Sequence, residues 1–77
     1  MSDINIEPRA LRDSRGETQQ GIGEALEVSR STVRGWESGR RLPDLRRFVA
    51  LSDHFGLSPA RMAQLARWFA SRPIDGQ

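Results

Sequence analysis

Apolar residues recur along the chain at three- and four-residue steps, the period of helices that bury one face. Ile22, Ala25 and Leu26 share one such face, and Val33 and Trp36 share another. Phe48, Leu51 and Phe55 form a third stripe, with Val49 and Ser52 alongside. Met62, Leu65, Ala66 and Phe69 form a fourth, and Trp68 lies off it. Caps and stops separate the stripes. Thr18, Ser29, Asp44 and Ser58 each stand where a side-chain oxygen can accept from the free amides of a first helical turn. Pro8 and Pro59 suit a first helical position, where a missing amide leaves no bond unmade. Gly16, Gly39 and Gly56 suit helix ends, and Pro43 and Pro73 stop a helix from running on.

This pattern predicts helices over Arg9 to Arg15, from Gln19 to the Glu27-Val28 break, over Arg30 to Ser38, over Leu45 to Phe55 and over Pro59 to Ser71. Leu11 is the only large apolar residue of the first, with Ala10 and Ser14 beside it. The expected fold is all-α, a compact bundle of about five short helices dominated by local contacts. Residues 8–72 form one domain, flanked by tails over 1–7 and 73–77, with Ile4 and Ile6 reaching back towards the core.

The second and third helices attract the most interest. Joined by a tight turn, they leave Arg30, Ser31, Thr32, Arg34 and Gly35 as the short or cationic remainder of the third helix. A helix with such an outward face, braced across another helix, fits the major groove of DNA. Charge agrees with this. The net charge of +2 hides three arginines against six acids in residues 1–27, and six arginines against two acids in residues 30–47. Positive charge therefore gathers on the third helix and just after it, a footprint suited to phosphate backbones. A plain solvated basic surface is the alternative.

Composition excludes other chemistry. Seventy-seven residues suffice for one small domain near the lower limit for folding without staples. There is no cysteine for a disulfide, a thiolate site or thiol chemistry, and the single His54 cannot build a metal site alone. Asp53 and His54 are adjacent, so on a helix they point apart and make a poor catalytic pair. There is no phosphate-cradling glycine loop ahead of a helix; Gly21-Ile22-Gly23 is too short and lies within one. An enzyme is not expected, and no cofactor is implied. With no spanning segment and no signal peptide, the expected location is the cytosol.

The stretch Thr18 to Gly39 resembles the helix-turn-helix of the lambda-repressor/Cro-like (Xre) family. The residues that carry the resemblance are Thr18-Gln19, Ile22 followed by the small Gly23, Val28-Ser29 at the turn exit, Ser31-Thr32-Val33, and Trp36-Glu37-Ser38-Gly39-Arg40 followed by Pro43. With its flanking helices the likeness covers about Arg9 to Ala66. It implies a sequence-specific DNA-binding regulator, most simply a small repressor of the phage or Cro-like kind, that occupies a palindromic operator. An antitoxin that covers a toxin and represses its own operon is the alternative, disfavoured by how few residues are spare.

Geometry and resemblance together point to Arg30, Ser31, Thr32 and Arg34 for base edges. Arginine can pair with both acceptors of a guanine. The resemblance implies that Gln19 meets a phosphate at the start of its helix. Arg40, Arg41 and Arg46 are phosphate candidates, Arg47 is expected to be idle, and Ser29 is expected to cap. Gly23 is small in the family because two helices cross there. Glu27 departs from the family's usual glycine at the turn, which predicts mild strain or a different turn. Gly35 stands where the family often has a polar side chain. Trp36 is expected in the core. Arg12 and Glu37 match positions that form a buried ion pair in some members; two separate surface charges are the alternative.

One reading helix covers few base pairs, so a dimer is expected, with two copies about 34 Å apart. The last helix is the expected contact, through Trp68 with Arg61, Leu65 and Arg72 around it. Packing of Trp68 on a neighbouring helix is the alternative.

Overall fold

Hydroxyl and carboxylate caps start four of the helices in the computed structural model, which describes residues 6–72. The helices are α1 (Pro8–Ser14), α2 (Gln19–Leu26), α3 (Arg30–Ser38), α4 (Leu45–His54) and α5 (Pro59–Ser71), with no strand among the described residues. Thr18 Oγ1 accepts from the amide of Gly21 at 2.9 Å, and Ser29 Oγ from that of Thr32 at 3.1 Å. Asp44 Oδ1 accepts from Arg47 at 2.8 Å, and Ser58 Oγ from Arg61 at 3.3 Å. Each bond satisfies an amide that the helix itself leaves orphaned. Pro8 opens α1 as expected, one residue earlier than the predicted start.

The α2–α3 turn takes the strained form. Glu27 has φ 60° and ψ 41°, the left-handed region that a side chain with a Cβ enters at a cost of about 1 kcal/mol. Gly23 shows why the turn is so tight. A Cβ there would lie 2.7 Å from the carbonyl oxygen of Val28, closer than two such atoms can sit.

Ile22, Val33, Trp36, Leu51, Phe55, Leu65 and Phe69 form the core, so α2, α3, α4 and α5 all contribute. Ile6, Leu11, Phe48 and Trp68 pack against it partly buried, and Phe48 meets Phe69 edge to face at 6.4 Å. The stripes are narrower than the sequence suggests. Ala25, Ala66 and Val49 are exposed, while Ser52 is fully buried. Ile4 and residues 73–77 lie outside the described residues.

Candidate nucleic-acid interface

The face of α3 that the fold leaves open is polar. Val33, Gly35 and Trp36 are buried, whereas Arg30, Ser31, Arg34 and Ser38 are exposed and Thr32 is half-buried. The hydroxyls at the start of the helix form one cluster. Ser29 Oγ lies 2.9 Å from Thr32 Oγ1 and 3.1 Å from Ser31 Oγ. Ser29 caps, as expected, and it also holds the two hydroxyl candidates in place.

An ion pair braces α3 from below. Arg12 Nε donates to Glu37 Oε2 at 2.7 Å and Arg12 Nη2 to Glu37 Oε1 at 3.1 Å, a two-pronged pair with side chains 14% and 8% exposed. Arg12 Nη1 also donates to the carbonyl of Glu17 at 3.0 Å. The hydrogen bonds it donates to Glu37 hold the Arg12 guanidinium above its ordinary pKa, against the opposing pull of burial, so it stays charged. The buried alternative, not two separate surface charges, is therefore the arrangement adopted.

Gln19 joins this pair. Its Nε2 donates to Glu37 Oε1 at 3.0 Å, so its side chain serves the brace in the free protein, a role that the sequence does not suggest. An open cleft of about 500 Å³ lies outside it, where Arg9, Arg30, Thr18 and Gln20 converge on the start of α2.

The arginines divide into two groups. Arg9, Arg12, Arg15, Arg47 and Arg72 each face a carboxylate or a carbonyl. Among the described residues the guanidiniums of Arg30, Arg34, Arg41 and Arg46, on α3 or shortly after it, face none, and neither do those of Arg61 and Arg67 on α5. Arg47 leans on Asp44 at 3.8 Å, which replaces the expected idle cation with a loose helix-start pair. The amides of Arg40 and Arg41 both donate to the carbonyl of Gly35, at 3.0 and 3.1 Å, and turn the chain back across the end of α3.

The residues expected at a dimer contact are mostly engaged within the chain. Leu65 is 0% exposed and belongs to the core, so it offers no surface to a second copy. Arg72 Nη2 donates to the carbonyl of Ser38 at 2.9 Å, and its guanidinium lies 4.5 Å over the Trp68 ring. Trp68 in turn meets Phe69 edge to face at 5.1 Å, and Arg61 is half-buried at the start of α5. The stripe of α5 hid this because Arg72 and Ser38 are brought together only by tertiary packing. Among the described residues the exposed large apolar side chains are instead Leu42, Leu45 and Val49, with Leu45 78% exposed. Leu42 and Leu45 rim a groove of about 330 Å³ floored by Phe48 and Phe69.

His54 is partly buried. Its Nε2 lies 2.9 Å from Glu17 Oε2, a lightly packed surface contact between α4 and the α1–α2 loop. No group of three or more metal-binding side chains occurs among the described residues, and no helix there is long and apolar enough to cross a membrane.

A family model described as a helix-turn-helix domain matches residues 9–65, most of the chain and the whole of α2 and α3. No curated protein and no solved structure matches.

Proposed function

The chain belongs to the helix-turn-helix domain family, in its Xre/Cro-like group, and from that premise we propose that it is a sequence-specific transcriptional regulator, a small dimeric repressor that occupies a palindromic operator. Residues 8–72 are the DNA-binding unit in this reading. The observation that carries it is the polar face of α3, where Arg30, Ser31 and Arg34 are exposed and both arginines lack an internal partner among the described residues.

The mechanism follows from where charge and hydrogen-bond donors stand. Arg30 and Arg34 offer guanidinium forks to guanine edges, and the Ser31 and Thr32 hydroxyls offer either donor or acceptor to neighbouring bases. Gln19, Arg40 and Arg46 surround this face and would set register by meeting phosphates. The Arg12–Glu37 brace fixes α3 against α1, so little ordering remains to be done on binding.

A second copy doubles the site. In this proposal the symmetric contact draws on the exposed apolar side chains Leu42, Leu45 and Val49, because Leu65 and Arg72 are engaged within the chain. Occupancy of the operator then excludes polymerase, and no catalytic step is involved. Selection of bound duplexes from a random pool tests the reading. Enrichment of one palindromic sequence supports it; a bound pool as random as the input overturns it.

A further inference from the structure

Gly35 sits in the middle of α3, one turn after Ser31 and between Arg34 and Ser38. Those three neighbours are exposed, yet Gly35 is buried. What covers it is Arg41. A Cβ built on Gly35 would lie 3.3, 3.1 and 3.0 Å from Cβ, Cγ and Cδ of Arg41. The three methylenes of Arg41 therefore occupy the space that a side chain at position 35 would fill. Their course is set by the backbone, because the Arg41 amide donates to the Gly35 carbonyl at 3.1 Å. Long cationic side chains bury their stems on apolar surface and keep the charged head in water. Here the surface is the bare backbone of the reading helix.

We propose that Arg41 is a specificity-determining residue that reads a base edge across α3, in the place where the helix itself has only Gly35. The proposal rests on the DNA-reading function above. Arg41 is exposed, its guanidinium has no partner among the described residues, and it lines one groove of about 480 Å³ together with Ser31, Arg34 and Ser38. A guanidinium carried there stands beside the base-reading side chains, where its fork can take both acceptors of a guanine. A glycine in mid-helix weakens α3 relative to alanine, and room for the Arg41 stem is the structural return.

Parallel selections from a random duplex pool with the intact chain, Arg41→Ala, Arg41→Lys and Gly35→Ala test this. The expected result is that all three variants lose preference at one base pair per half-site and keep the rest. Arg41→Ala should bind the parent site about 10- to 100-fold more weakly, with a much smaller loss on random duplex. Arg41→Lys keeps stem and charge without the fork, so its salt slope should stay unchanged. An unaltered selected sequence, with Arg41→Ala weakening all duplexes alike and lowering the salt slope by about one, overturns the assignment and makes Arg41 a phosphate contact. If the intact chain itself selects nothing, the regulator reading fails and this assignment fails with it.

Discussion

Arg12 and Glu37 face each other across α1 and α3 in a two-pronged pair, Nε to Oε2 at 2.7 Å and Nη2 to Oε1 at 3.1 Å. Twenty-five residues separate them in sequence. Both side chains are largely buried, and Gln19 and the Glu17 carbonyl complete their hydrogen bonds. The pair ties the end of the reading helix to the front of the domain.

Removing one partner strands the other charge away from water. Glu37→Ala should therefore cost about 3–5 kcal/mol, a large part of the few kcal/mol that hold a domain of this size together. Urea unfolding followed by circular dichroism reads the loss. A midpoint equal to that of the parent would mean that the pair contributes nothing net.

Glu27 should respond in the opposite direction. Its φ of 60° is strained for a residue with a Cβ and ordinary for glycine. Glu27→Gly should stabilise by up to about 1 kcal/mol, raising the melting temperature by about 4–8 °C. A lower melting temperature would show that the Glu27 side chain supplies something the backbone angle does not reveal.

These two positions show what the sequence makes legible. Thr18, Ser29, Asp44 and Ser58 act within four residues of themselves, so their capping could be read before any fold was known. The stripes that bury Ile22, Trp36, Leu51 and Phe69 are equally local. The strain at Glu27 and the closeness at Gly23 were readable through the family resemblance, because both belong to one short turn. Of the long-range partners only Arg12 and Glu37, 25 residues apart, are readable, and only through that resemblance. Ser38 and Arg72 are 34 residues apart, and His54 and Glu17 are 37 apart. Periodicity reports which face of a helix turns inward. It does not report which side chain folds over the edge of another helix, so Arg72 read as surface and Leu65 read as both core and interface.

Arg72 should matter for stability before it matters for assembly. Arg72→Ala loses the bond to the Ser38 carbonyl and the cover over Trp68, and a cost of about 1 kcal/mol is expected at a site this open to solvent. Sedimentation of this variant should match the parent, whereas Leu45→Asp should shift the chain towards monomer. A monomeric Arg72→Ala that melts like the parent would return the contact to α5.

Arg46 and Arg47 are neighbours with different surroundings. Arg47 leans on Asp44 and Arg46 faces no acid among the described residues. Arg46→Ala should lower the slope of log affinity against log salt by about one, and Arg47→Ala should leave it nearly unchanged. Equal slopes for the two variants would mean that the Asp44 contact does not divert Arg47.

The central claim is that the outward face of α3 reads DNA sequence. A salt-dependent titration on a selected duplex and on random duplex tests it most directly. Binding at least ~10³-fold tighter on the selected duplex is expected, with affinity falling steeply as salt rises. Equal, weak binding to both duplexes would contradict it and leave the arginines of α3 as a generic basic surface.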